Sequence, residues 1–242
     1  MLIIIRPNYK GISQRAAEIV KKRILKKPNL VLGLATGSTP LGMYQELIKM
    51  HKTQGLNFSE VTTFNLDEYL GLGPLHSQSY FYYMQENFFK FINIKQKNIF
   101  IPNGLTQSPE KHCLWYEQKI QEKGKIDLQI LGIGRNGHLG FNEPGSSFES
   151  RTRVINLDKT TIADNARFFK NISQVPKQAI TMGLKTIART RECLLLANGS
   201  HKAEIIYKAL KSPITENVPG SILQKHRKVV VLLDKEAGKD LN

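Results

Sequence analysis

Three short stretches of this 242-residue chain hold residues whose types and spacing could do chemistry. The densest is Leu131-Gly132-Ile133-Gly134-Arg135-Asn136-Gly137-His138-Leu139-Gly140-Phe141-Asn142-Glu143-Pro144. Its glycines let backbone approach a ligand, and His138 with Glu143 supplies a proton carrier and an orienting carboxylate. Gly132, Gly134 and Gly137 also spell the GxGxxG pattern of dinucleotide-binding folds, with Asp158 near the ribose-acid spacing. That pattern must open a helix, whereas residues 138–147 contain Gly140, Pro144 and Gly145 and read as an irregular loop, so no dinucleotide is expected. No second His or Cys stands close enough in sequence to complete a zinc set.

The second stretch, Thr63-Phe64-Asn65-Leu66-Asp67-Glu68-Tyr69, is an apolar run ending in two adjacent carboxylates. Successive side chains of extended backbone diverge, so Asp67 and Glu68 are not expected to face each other; one works while the other supports. Such a carboxylate can remove a proton next to a carbonyl, or simply cap a turn. The third is Leu34-Ala35-Thr36-Gly37-Ser38-Thr39-Pro40, a hydroxyl-rich turn between a strand pattern and a helix pattern. Free amides and the hydroxyls of Thr36, Ser38 and Thr39 can surround a phosphate, with Gly37 allowing close approach; Ser38 or Thr39 capping the next helix is the other reading. The Walker lysine is missing, which argues against nucleotide hydrolysis.

These stretches need a scaffold. Short β-branched runs at 2–5, 30–34, 61–65, 98–101, 128–133, 193–197 and 229–233 alternate with helical periodicity near 11–27, 41–54, 79–91, 109–123, 158–169, 177–188 and 200–211. The alternation predicts one α/β domain over residues 1–242, Rossmann-like, with a mostly parallel sheet and helices on both faces. Ligands in such folds collect at the carboxyl ends of the strands, where all three stretches fall.

Composition agrees with a globular core and excludes disordered, collagen-like or coiled-coil chains: 40% hydrophobic and 23% charged. The net charge of +15 is spread along the chain, densest at Lys21, Lys22, Arg23, Lys26 and Lys27 late in a helical pattern. Without interleaved aromatics or a reading motif it predicts a lysine-rich surface that attracts anionic small molecules, not a nucleic-acid partner. Cys113 and Cys193 stand alone, so no disulfide framework is expected. The opening apolar run is too short for a leader or a membrane span, and a cytoplasmic protein is expected.

Taken together, the chain resembles the glucosamine-6-phosphate deaminase family, also called glucosamine-6-phosphate isomerases. The matches are LATGSTP at 34–40, TFNLDEYLGL at 63–72, LGIGRNGHLGFNEPGSSFESRTR at 131–153, NARFF at 165–169, QVPKQAITMG at 174–183 and NGSHKA at 198–203. The resemblance implies conversion of glucosamine 6-phosphate and water into fructose 6-phosphate and ammonia, with no cofactor or metal. It implies Asp67 as the proton acceptor in enolisation, and Asn136, His138 and Glu143 in ring opening with His138 as proton carrier. It also implies a phosphate grip from Thr36, Gly37, Ser38, Thr39, Arg167 and Lys202. Some members carry aspartate at position 136, and an Asn136 amide orients without adding charge.

Longer members form hexamers with an allosteric site for N-acetylglucosamine 6-phosphate. Ser146 and Arg153 match parts of that site, while Ile155 stands where those members have lysine, so a monomer or small oligomer without that activation is expected. Two other readings are 6-phosphogluconolactonase, whose segment after GHxxS usually differs from Gly140-Phe141-Asn142-Glu143-Pro144, and a non-catalytic sugar-phosphate sensor, which would need a DNA-reading segment for which the 242 residues leave no room.

Overall fold

A computed structural model describes residues 1–157, 162, 166, 169, 171 and 174–241. Seven parallel strands form the central sheet: β1 (Leu2–Arg6), β2 (Val31–Leu34), β3 (Thr62–Asn65), β5 (Ile99–Phe100), β6 (Leu128–Leu131), β9 (Cys193–Ala197) and β10 (Val229–Asp234). Their order is β1-β10-β9-β6-β2-β3-β5. The inner strands read as continuous apolar runs because both faces are covered; β2, β6, β9 and β10 are buried along their whole length.

Helices α1 (Tyr9–Lys26), α2 (Leu41–Gln54) and α3 (Tyr80–Asn87) pack on one face, sharing a core of Ile12, Val20, Leu47 and Met84 with Leu32, Leu34, Leu128 and Ile130. On the other face, α4 (Pro109–Glu122), α5 (Leu184–Ala188) and α6 (Ala203–Lys211) enclose Tyr116, Ile187 and Ile206 against Phe64, Leu131 and Leu195. Helix α1 starts where the Asn8 side chain accepts from the Gly11 amide. The densest basic cluster lies at its end, and two of its members are tied to acidic groups: Arg23 donates twice to Glu192, and Lys27 bonds Asp127.

A second sheet was not expected. It is three-stranded and antiparallel, with β4 (Asp67–Tyr69) and β7 (Arg153–Asn156) on either side of β8 (Gln178–Thr181). The expected helix over 177–188 is therefore wrong in its first half. Residues 178–181 are strand, and only Leu184–Ala188 is helical. Ile180, Leu184 and Ile187 imitate a helical stripe, but the chain turns at Gly183, packed against the segment before β7. A Cβ at Gly183 would stand 2.3 Å from the carbonyl oxygens of both Ser150 and Arg151. Other differences are at boundaries: the 98–101 strand shortens to Ile99–Phe100, and the 79–91 helix splits into α3 and a 3₁₀ turn, Phe89–Phe91. The 158–169 helix lies largely outside the described residues.

Because Gly183 abuts rigid backbone rather than a flexible side chain, Gly183→Ala is expected to cost about 1–3 kcal/mol. Urea unfolding should show a lower midpoint with an unchanged slope; an unchanged midpoint would contradict the tight packing.

Candidate active site

The sheet order sets four motif-bearing strand ends side by side: β9 before Lys202, β6 before Asn136, β2 before Thr36, and β3 before Asp67. At about 4.8 Å between neighbours, the four span about 14 Å, the scale of a phosphorylated hexose. The chain runs outward from β2 to β3 on one side and returns as β6 on the other, so the crevice at the carboxyl ends of β2 and β6 is the topological switch point.

After β6 the backbone turns on Gly137, with φ +91°, and the Gly134 amide bonds the His138 carbonyl at 3.0 Å. The His138 ring folds back over Gly134, where any Cβ would lie 2.2 Å from its Cε1. The Asn136 amide donates to Glu143 Oε2 at 2.6 Å, and its Oδ1 accepts from the His138 amide at 3.2 Å. Glu143 Oε2 also stands 3.4 Å from His138 Nδ1. One carboxylate oxygen thus faces both the amide and the imidazole. This orients the ring with Nδ1 toward Glu143.

Asp67 begins β4 opposite Thr181 of β8 and is only 5% exposed. Burial, with the neighbouring Glu68 charge adding to it, pushes its carboxyl up to about 8. Glu68 points elsewhere. Its two oxygens accept the backbone amides of Tyr69, Tyr80 and Phe81, so it caps the start of α3. The two carboxylates therefore diverge, as expected of successive side chains on extended backbone. Two of the three stretches meet at Gly140, with φ +59°, where a Cβ would fall 3.1 Å from Asp67 Oδ2 and 3.0 Å from Thr181 Oγ1. Asp67 is thereby held against a residue two positions from His138.

The turn after β2 leaves Gly37 and Ser38 exposed and Thr36 and Thr39 half-buried. Pro40 occupies the N-cap of α2, and no side chain caps that helix, so Ser38 and Thr39 are not spent on capping. Tyr83 donates to the Gly37 carbonyl at 2.6 Å and Tyr9 to the Ser38 carbonyl at 2.9 Å, and Tyr44 holds the Ala35 carbonyl at 2.6 Å. Lys202 follows β9, and its ammonium donates to the Ile133 carbonyl at the mouth of the β6 loop, 2.7 Å away. Arg167 lies outside the described residues.

Sequence reasoning missed the supports. Thr181 Oγ1 receives the Phe141 amide at 3.1 Å, linking β8 to the histidine loop. Buried Asn142 donates to the carbonyls of Leu139 and Met182. Arg153 donates to Asn142 Oδ1 at 2.7 Å and to Ser146 at 3.2 Å, so the two residues matching the allosteric site touch each other and the histidine loop. The one legible signal for these supports was their place inside family matches, Asn142, Ser146 and Arg153 in the glycine-rich stretch at 131–153 and Thr181 in the stretch at 174–183.

Residues 9–232 match the family described as glucosamine-6-phosphate isomerases/6-phosphogluconolactonase. The chain belongs to this family. Among its members, the glucosamine-6-phosphate deaminase of Thermoanaerobacter sp. (strain X514) is 54% identical over 237 residues, covering 98% of this chain and 94% of that protein. The glucosamine-6-phosphate deaminase of Clostridium botulinum (strain Kyoto / Type A2) is 52% identical over 242 residues, covering 100% and 99%. Among solved structures, a monomeric glucosamine-6-phosphate deaminase superposes with a TM-score of 0.97 at 48% identity, over 99% of this chain and all of that one. A 6-phosphogluconolactonase from Leishmania guyanensis shares the family's fold with a TM-score of 0.77 at 22% identity, covering 100% and 98%.

A carboxyl raised by burial holds its proton in the folded chain at pH values where the unfolded chain has released it. Between the ordinary carboxylate range and about 8 the folded state binds more protons, so this group's contribution makes stability fall as pH rises. Asp67→Asn removes the penalty. The variant should melt several degrees above the parent at pH 8, with the gap closing toward pH 4; a gap that is constant across this range would show that burial does not raise the Asp67 carboxyl.

Proposed function

We propose that this chain converts glucosamine 6-phosphate and water into fructose 6-phosphate and ammonia. The reading rests on one observation above the rest: a buried carboxyl in contact range of Gly140, two residues from a histidine backed by Glu143 and Asn136. The family membership and the deaminase relatives at 48–54% identity support the same reading.

The chemistry follows from the placement. The closed sugar has no free carbonyl at C1, so ring opening must take a proton from the C1 hydroxyl and deliver one to the ring oxygen. His138 relays both, with Glu143 stabilising the imidazolium between the two transfers. Opening exposes the aldehyde and makes the C2 proton acidic. Asp67 accepts that proton and returns it to C1 through an enol-like intermediate. The C2 imine that results adds one water, and the carbinolamine so formed loses ammonia to leave the ketose. None of these steps transfers electrons to an external acceptor.

The phosphate is assigned to the Thr36, Gly37, Ser38 and Thr39 turn with Arg167 and Lys202. The α2 amides and hydroxyls supply fixed dipoles, and Lys202 supplies a compact charge. Gripping the far end of the substrate fixes C1 and C2 relative to Asp67 and converts binding into orientation. The monomeric relative at 48% identity favours a monomeric enzyme.

Purified protein incubated with glucosamine 6-phosphate should release ammonia, and turnover should climb with pH toward 8 as Asp67 loses its proton. Asp67→Asn should lower kcat by about 10²- to 10⁴-fold with little change in KM, since the base goes and the grip stays. Hydrolysis of 6-phosphogluconolactone without ammonia release would overturn the assignment.

His138→Gln should lose about 10²-fold on the closed sugar and far less on an open-chain analogue. Equal losses on both would remove His138 from ring opening.

A further inference from the structure

On the side of the molecule away from the strand carboxyl ends there is a second concavity of about 340 Å³. Its walls come from the end of α4, the loop leading into β6, the segment before β7, and α5 with the loop leading into β9. Strands β6 and β9 begin here, whereas the histidine loop and Lys202 follow their opposite ends. The walls that precede β6 and β9 therefore lie at the opposite ends of those strands from the histidine loop and Lys202.

Four cations converge on this cleft: Lys125, Arg151, Lys185 and Arg189. The single carboxylate in its lining, Glu117, is already occupied. Its Oε1 accepts from the Thr152 amide at 2.9 Å, the Thr152 hydroxyl at 2.6 Å and the Thr186 hydroxyl at 2.6 Å. Neighbouring acids are committed as well: Glu122 to Lys119, Asp127 to Lys27 and Arg191, and Glu149 to Lys185. Among the described residues no ion pair engages Lys125, Arg151 or Arg189; Arg189 acts on Glu149 only at longer range. Lys125 is moreover the one described non-glycine residue with positive φ, +76°, where the chain leaves α4 to form the cleft's rim. Gathering like charges in one concavity destabilises the bare fold, and an anion seated among them reverses that sign.

We propose that this cleft is a second anion site, taking a small phosphate-bearing molecule distinct from the substrate of the strand-end crevice. Two guanidinium groups offer planar forks to phosphate oxygens, and the Lys125 ammonium adds a point charge, while Lys185 is already paired with Glu149. Buried Ile120 and Ile126 give an apolar floor for a non-ionic portion of the ligand. The volume lies at the lower end of small-molecule sites.

Calorimetric titration of the full chain with inorganic pyrophosphate at low salt should resolve two classes of sites. Arg151→Gln with Arg189→Gln should weaken one class by tenfold or more while leaving deaminase kcat and KM unchanged. Lys202→Gln should weaken the other class. Lys125→Gln should give a smaller loss in the first class, and Lys49→Gln with Lys52→Gln, the same change of charge elsewhere, should leave both classes intact. The proposal is overturned if the double arginine variant, with unaltered circular dichroism, titrates like the parent. It is also overturned if the remote double variant weakens binding equally, or if Lys202→Gln abolishes all pyrophosphate binding. Ammonia release by the parent tests the strand-end site separately from any of these outcomes.

Discussion

The antiparallel pairing of β4 with β8 is the constraint on which the site depends. It takes the chain directly out of a parallel strand, through one residue, into a second sheet, and so buries the Asp67 carboxyl at the crevice instead of leaving it in a solvated turn. Thr181, across from Asp67, receives the amide of Phe141, and Gly140 fills the remaining space with backbone alone. Acid, threonine and glycine lock one another. A side chain at Gly140 would press on both oxygens at once, and its positive φ already disfavours one.

From that contact the rest is ordered by hydrogen bonds of unequal directness. Asn136 and Glu143 aim the imidazole, Asn142 clamps the loop to β8, and Arg153 holds Asn142 from β7. The small sheet is therefore a frame for the histidine loop as much as a carrier of the carboxylate. The large sheet contributes position: its switch point gathers four strand ends, and the helices on both faces bury enough apolar surface to keep those ends fixed.

How much of this was legible in the sequence depended on the range of the interaction that shaped each part. The parallel sheet was readable because strands buried on both faces, such as 193–197 and 229–233, announce themselves as unbroken apolar runs. The second sheet was not. Its strands have three or four residues, β8 borrows an apolar spacing that fits a helix, and pairing with distant β4 and β7 decides the outcome. At the site, the divergence of Asp67 and Glu68 followed from strand geometry alone. That Glu68 would cap α3 did not, because its partners lie twelve and thirteen residues away across a loop. The tyrosine hydroxyls on the 36–39 turn were equally hidden, since nothing in the local pattern distinguishes a tyrosine that reaches a carbonyl from one that fills a core.

Those tyrosines carry a consequence for how the turn after β2 would meet an anion. With the carbonyls of Ala35, Gly37 and Ser38 each gripped by a phenol from α1, α2 or α3, the intervening peptide planes cannot rotate without breaking a bond to a packed helix. The turn is thus held in one shape by the fold itself, so that an anion binding there would find its backbone already ordered.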